Sequence, residues 1–202
     1  PVFAADDGVY SCTSMGVAEK IPRVSFEQFL LLLGLSHTKL EWLDGIAYAM
    51  AGGSFEHSRL ANRIGTALTN ALHGKPCVAL QSDMLVKAPD EDFAAFPDAS
   101  VVCDQPNMIT HEKVPALTNP TVIVEVLSSS TEEYDRGEKF ERYKTIQSLR
   151  EYVLVSQDAP RIEVFARERG WEGIAVGTGE TVHLSSIGVA LAVDEIDYNP
   201  LG

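Results

Sequence analysis

The chain is short of positive charge: 16 Lys and Arg stand against 29 Asp and Glu in 202 residues, a net charge of −13. A basic footprint is the usual electrostatic mark of nucleic-acid binding, so its absence counts against any role that needs a surface attractive to phosphate on average. Cysteine is scarce as well. Cys12, Cys77 and Cys103 are odd in number, far apart and without CxxC spacing. That pattern argues against a disulfide framework and against a cysteine zinc site. Cys77 and Cys103 fall in strand-like runs and read as buried thiols of a cytoplasmic protein. No apolar run approaches the roughly 20 residues that span a bilayer, so no membrane partner is expected. The Gly-rich phosphate loop, the GxSxG elbow, the HExxH helix and zinc-finger spacing are all missing. The first segment, PVFAADDGVYSCTSMGVAEK, lacks the basic start and apolar core of a signal peptide. Residues 1–20 are expected to be a flexible tail, with Met15 a candidate native start, and residues 21–202 to form a single domain.

What is present is a well-punctuated alternation of helices and strands. Ser25 caps a short helix, FEQFLLLL, that should end at Gly34. In KLEWLDGIAYAMAGG, two apolar-rich arms flank Asp44-Gly45, a strong signal for a tight hairpin. A helix from about Ser54 to His73 carries Leu60, Ile64, Leu68 and Leu72 on one face and ends at Gly74. KPCVAL and DMLVKA read as short strands, PDEDFAAF as an acidic mobile loop, and PDASVVCD as a strand. A loop with three prolines leads to the strand TVIVEVL. After SSST a helix runs from about Glu132 to Gln147. REYVLVS, PRIEVFARE and GWEGIAV follow as strands, with two weaker ones around residues 182–184 and 189–193. This order predicts an α/β domain, a central mixed sheet flanked by helices with a further β-rich segment at the C-terminal end. The step from TVIVEVL through the helix to REYVLVS has the length of a parallel crossover.

Glu125 stands out. It interrupts Val122, Ile123, Val124, Val126 and Leu127, a run suited to a strand buried on both faces. A carboxylate there costs several kcal/mol unless it is paired. Asp98 opens another strand directly after Pro97; if the two strands are neighbours, the carboxylates converge and repel unless a cation joins them. Taken alone, Asp98 is more simply a turn residue. Asp135, Lys139 and Tyr143 are each four apart on one helical stripe. Lys139 sits at the edge of the buried side marked by Phe140 and Tyr143, although a surface pair with Asp135 is the blander reading. Gly137 within this helix costs up to about 1 kcal/mol relative to Ala and hints at close packing. His57 lies in the first turn of the long helix, where a packed or capping role is the default. Glu41, in the hairpin, reads by default as a solvated strand residue.

As a set, EWLDG, SFEHSRLANRI, FPDASVV, NPTVIVEVLSSSTEEYDRGEKFERY and LREYVLV occur in the order and spacing of one family. The chain resembles the Uma-type restriction endonucleases of the PD-(D/E)xK nuclease superfamily, from about Val24 to Ala166. The resemblance implies a restriction-endonuclease-like fold and a site built from Glu41, His57, Asp98, Glu125 and Lys139, with Asp135 and Tyr143 in support. The superfamily's lysine normally follows the second acid by two positions; here that position is Leu127, and the resemblance places the lysine at Lys139. It also implies that Asp98, Glu125 and the carbonyl of Val126 hold Mg²⁺ or Mn²⁺, and that Glu41 holds a second ion directly or through water. His57 is expected to contact the scissile phosphate or to order Glu41. The implied activity is metal-dependent hydrolysis of DNA by a cytoplasmic homodimer. The alternative is a nuclease-fold protein that binds nucleic acid or a protein without cutting. Either way, phosphates would need a local basic patch, for which Arg59, Arg63, Lys87, Arg136 and Arg142 are candidates.

Overall fold

The computed structural model describes residues 23–50, 52–89, 91–111 and 114–201. The tail at residues 1–20, with Cys12 and Met15, lies outside the described residues. Helix α1 (Phe26–Leu35) starts in a capping box between Ser25 and Gln28 and runs one residue beyond Gly34. Strands β1 (Leu40–Leu43) and β2 (Ile46–Ala49) form the hairpin, with Asp44 at φ 50° and Gly45 at φ 82°. Two successive left-handed residues give the turn whose twist matches a two-stranded ribbon. Helix α2 (Phe55–Ala71) is capped by the Ser54 side chain, which accepts from the His57 N–H.

The remaining elements are β3 (Cys77–Gln81), β4 (Leu85–Lys87), β5 (Phe93–Ala95), β6 (Ala99–Cys103), β7 (Met108–His111), β8 (Val114–Leu117), β9 (Val122–Val126), α3 (Glu132–Arg136), α4 (Glu138–Lys144), β10 (Glu151–Val155), β11 (Arg161–Ala166), β12 (Gly173–Gly177), β13 (Thr181–Leu184), β14 (Val189–Ala192) and α5 (Val193–Asp197). The larger strands divide between two six-stranded sheets, ordered β2-β1-β5-β4-β8-β7 and β12-β11-β10-β9-β6-β3, and β13–β14 pair separately. The mixed α/β class stands, and the crossover from β9 to β10 is parallel as its length requires.

Alternation along β9 decides which side chain faces what. Val122, Val124 and Val126 join Leu60, Ile64 and Leu68 of α2 in one core. Ile123 points the other way, into a core built with Phe93 and Ala95 of the first sheet and Phe140 and Tyr143 of α4. Glu125, two residues on from Ile123, shares that second face by the period of a strand. The β6–β9 register pairs Ala99 with Val124 and Ser100 with Ile123, so its continuation sets Asp98 opposite Glu125.

Four expectations are corrected. PDEDFAAF is no mobile loop: Phe93, Ala94 and Ala95 are fully buried in β5, between β1 and β4. Glu91 and Asp92 precede the strand, which takes Phe93–Ala95, and Asp90 lies outside the described residues. The proline-bearing loop contains the β7–β8 hairpin; Pro115 is tolerated because the ladder from β8 to β4 begins only at Ala116. The single helix from Glu132 is two helices, broken at Gly137 with φ −106° and ψ −107°. A Cβ there would lie 2.9 Å from the Glu133 carbonyl oxygen.

The fourth correction concerns the cysteines. Cys77 and Cys103 are directly opposite in the β3–β6 register and are joined as a disulfide. Cross-strand neighbours have adjacent Cβ atoms, and no spacing rule in the sequence reveals such a pair. The bond closes a separation of 26 residues. On the chain-entropy account, a loop of this size is worth about 3 kcal/mol. Urea unfolding with and without a reductant should differ by that amount, and Cys103→Ser should abolish the difference.

Candidate active site

The centre of the site is a buried ammonium. Lys139 is only 4% exposed, and its Nζ lies 2.9 Å from Glu125 Oε1, 3.3 Å from Asp135 Oδ1 and 3.4 Å from Glu41 Oε1. Each partner comes from a different place: β9 supplies Glu125, β1 supplies Glu41, and α3 supplies Asp135. The break at Gly137 redirects the chain between Asp135 and Lys139, yet the two remain in contact. Among the described residues, the buried oxygens Glu41 Oε1 and Glu125 Oε1 meet no partner besides this ammonium. The Lys139–Asp135 pair is therefore part of a buried cluster rather than a surface pair. Glu41 is likewise no solvated strand residue; its side chain is 12% exposed.

Asp98 occupies a second, more open position beside this cluster. Its Oδ2 accepts the Val126 N–H at 2.7 Å and lies 3.2 Å from His57 Nε2. His57 thus orders Asp98 rather than Glu41. An open cleft of about 620 Å³ reaches the pair, lined by His57, Asp98, Lys39, Asn62, Gln81 and Phe96 among others. One end of the site is dry and the other is reached from solvent.

The electrostatics follow from this layout. Burial pushes Glu125 well above the usual carboxylate range; Lys139 opposes that shift, while Asp135 and Asp98 add to it. Burial pulls the pKa of Lys139 down, but Glu125, Glu41 and Asp135 together hold it well above the ordinary lysine value. The hydrogen bond to Asp98 raises His57 against the opposing effect of burial. Four carboxyl groups thus share one lysine and one histidine, and the cluster has a surplus of negative charge.

Tyr143 lies in the same core, its ring edge-on to Phe93 at 5.0 Å, with a buried hydroxyl that has no hydrogen-bond partner among the described residues. Direct support for Lys139 comes instead from Asp135 and from the Tyr134 ring, 5.9 Å from Nζ. The Tyr152 hydroxyl donates to the Asp135 carbonyl at 2.8 Å and so braces α3. Tyr134 and Gln157 escape notice in the sequence. The one available signal for Gln157 is its position just past β10, at the carboxyl end of the strand parallel to β9, where open α/β sheets place their sites.

Of the five basic residues considered for phosphate contacts, all are engaged within the molecule. Arg59 binds Glu56 and the Tyr198 carbonyl, and Arg63 binds the Glu195 carbonyl. Arg136 binds Glu132 and Glu163, Arg142 binds Asp44 and Glu91, and Lys87 binds the carbonyls of Ala88 and Glu91.

The family model Uma2, described as "Putative restriction endonuclease", matches residues 26–194. The uncharacterized protein slr1290 of Synechocystis sp. is 35% identical over 177 residues, covering 87% of this chain and 92% of its own length. A second uncharacterized protein of that organism, sll1609, is 31% identical over 135 residues, which is 66% of this chain and 76% of its own. A crystal structure from Anabaena variabilis, of a "putative nuclease belonging to DUF820", superposes with a TM-score of 0.68 at 14% identity, covering 85% of this chain and 96% of that one. That likeness shows the nuclease-type fold. With the site residues gathered at one place and the family match spanning most of the chain, the protein belongs to the Uma2 family, a nuclease family by its description.

Proposed function

We propose that the protein is a divalent-metal-dependent endonuclease that hydrolyses phosphodiester bonds in DNA. The observation that carries this reading is the buried Lys139 ammonium held among Glu41, Glu125 and Asp135, beside an Asp98 that faces an open cleft. The donor set fits a hard cation in its chemistry, with oxygen donors only and a surplus of negative charge. Among the described residues, no three His, Cys, Asp or Glu side chains form a ready metal cluster. Mg²⁺ does not need one, since it is commonly held by one or two carboxylates and keeps its waters.

In this reading Asp98, Glu125 and the Val126 carbonyl would hold the ion, and Glu41 would serve a second. A bound ion supplies a water of lowered pKa and neutralises charge on the phosphate. Lys139 holds a proton beside the reacting oxygens and stabilises developing charge from a site where water is excluded. His57, whose pKa the hydrogen bond to Asp98 raises, stands at the cleft through which a phosphate would arrive. A homodimer with one site per strand, located in the cytoplasm, completes this reading. No helix among the described residues is long and apolar enough to cross a membrane. The Cys77–Cys103 bond sits awkwardly with a reducing compartment, where disulfides are rare.

Supercoiled plasmid with Mg²⁺ or Mn²⁺ tests the activity directly. The wild type should nick or linearise it, and Asp98→Ala and Glu125→Ala should not. Equal behaviour of all three would overturn the proposal.

One observation favours a second reading, a binding protein that does not cut: the net charge is −13 and the candidate phosphate contacts are already paired. Calorimetric titration with Mg²⁺ separates the two readings, since binding that is lost in Asp98→Ala supports the enzyme. The pairing also has a consequence common to both. Affinity for DNA should fall shallowly with salt, with a log–log slope near ~2, against about 5–9 for a protein that neutralises six to ten phosphates. A steep slope would mean that these side chains leave their partners on binding.

A further inference from the structure

The open half of the site, Asp98 and His57, is tied to the end of β9 by a closed ring of hydrogen bonds that uses a residue outside the site. Starting from β9, the Val126 N–H donates to Asp98 Oδ2 at 2.7 Å, and Asp98 Oδ2 lies 3.2 Å from His57 Nε2. The backbone N–H of the same His57 donates to Ser54 Oγ at 3.0 Å. Ser54 Oγ donates in turn to Gln157 Oε1 at 2.8 Å. Gln157 Nε2 then donates to the Leu127 carbonyl, one residue beyond the starting point. The ring passes through the end of β9, the start of β6, the first turn of α2 and the residue pair after β10.

Only a carboxamide closes it. Ser54 presents a hydroxyl proton, because its oxygen already accepts the His57 N–H. Leu127 presents a carbonyl, because its own N–H is used by Val155 O at 2.8 Å. One end of the bridging group must therefore accept and the other donate, which an amide does and a carboxylate does not. The length matters as well, since Gln157 spans from the β10 end to both partners.

Without the ring, α2 touches the end of β9 through apolar packing alone. Such packing fixes the distance between helix and sheet but leaves rotation and sliding of the first turn soft. His57 is in that first turn, so any drift changes its approach to Asp98. We propose that Gln157 is a positioning residue: its carboxamide locks the first turn of α2 to the end of β9 and so sets the His57–Asp98 contact. The proposal rests on the nuclease reading for its effect on rate, but not for its effect on geometry.

The experiment uses the full chain with three variants, Gln157→Leu, Gln157→Glu and Ser54→Ala, and the Gln157→Leu/Ser54→Ala double variant. The first readout is the Val126 amide proton in the native-state NMR spectrum, which a carboxylate acceptor shifts downfield. A change in global stability alone does not move it. In Gln157→Leu and Gln157→Glu it should move upfield as Asp98 loses its fixed orientation. The second readout is plasmid cleavage. kcat should fall roughly ten- to a hundredfold, as for a displacement of about 1 Å at the reacting groups, with KM within about twofold. Because Ser54→Ala breaks the same ring, the double variant should be no slower than Gln157→Leu. An unchanged Val126 amide with unchanged kcat overturns the proposal, and so does an additive loss in the double variant. If Gln157→Leu does not fold, the isosteric Gln157→Glu decides by the same readouts. If the wild type cuts nothing, the nuclease reading fails, and the Val126 amide still decides the positioning role.

Discussion

Lys139→Met is expected to destabilise the metal-free protein by about 3–5 kcal/mol, the range for removing one partner of a buried ion pair. The methionine stem replaces the lysine stem at similar volume, so little of the loss comes from a cavity. It comes from Glu125, Glu41 and Asp135, which lie within 3.4 Å of the lost ammonium and are left without a counter-charge. Glu125 and Asp135 are each only 3% exposed, so water cannot take over. Protonation is the cheaper escape, and the penalty should shrink as the pH is lowered and these carboxyl groups become neutral. Urea unfolding of wild type and variant at two pH values measures both effects. Repeating it with Mn²⁺ separates a structural ion pair from a metal site. If the carboxylates take up a cation, part of the lost stability returns, while plasmid cleavage stays absent because the proton-holding group is gone. An equal penalty with and without the ion would leave the cluster a purely structural device.

Asp98→Ala and Glu125→Ala should each lower the cleavage rate by about a hundred- to a thousandfold, the scale on which one preorganised electrostatic group matters. They should differ in every other respect. Asp98 lies at the open cleft and accepts from the Val126 N–H, so its removal leaves one backbone donor of a buried residue without its acceptor, at about 1–3 kcal/mol. Its loss also removes the hydrogen-bond partner that raises the pKa of His57. Glu125 is the nearest contact of Lys139, at 2.9 Å, in a dry core. Its removal leaves the ammonium with Glu41 and Asp135 and opens a void beside Ile123. Glu125→Gln keeps the volume and should match Glu125→Ala in rate while unfolding at higher urea. Circular dichroism and unfolding curves on each variant separate loss of chemistry from loss of fold.

Much of this site is legible in the chain because its signals are local. A charged residue in a β-branched run marks Glu125 as buried and in need of a partner. The four-residue spacing of Asp135 and Lys139 brings them together even though the helix is broken between them. Asp44-Gly45 fixes the hairpin that carries Glu41, and Ser54 announces the helix that carries His57. Glu41 and His57 themselves are silent, because an acid in a hairpin and a histidine in a first turn look the same whether or not another strand lies against them. Their roles come from the family resemblance, and the coordinates bring both to the site.

What the sequence determined by itself is the class of fold and the identity of the misfit acid, since each depends on periodicity within a few turns or one strand; Lys139 came from the family resemblance, because its spacing alone favoured a surface pair with Asp135. What only the tertiary structure decided is everything that depends on pairing across the chain. The apolar end of PDEDFAAF becomes β5 because β1 and β4 leave a gap between them. Cys77 meets Cys103 because β3 is antiparallel to β6. Position 137, where the helix breaks, takes glycine because the Glu133 carbonyl leaves no room for a side chain. Gln157 closes its ring because β10 ends beside β9. Local sequence specifies which torsions a segment prefers; which segment lies next to it is set by burial of the whole apolar surface at once, and no short window of residues contains that information.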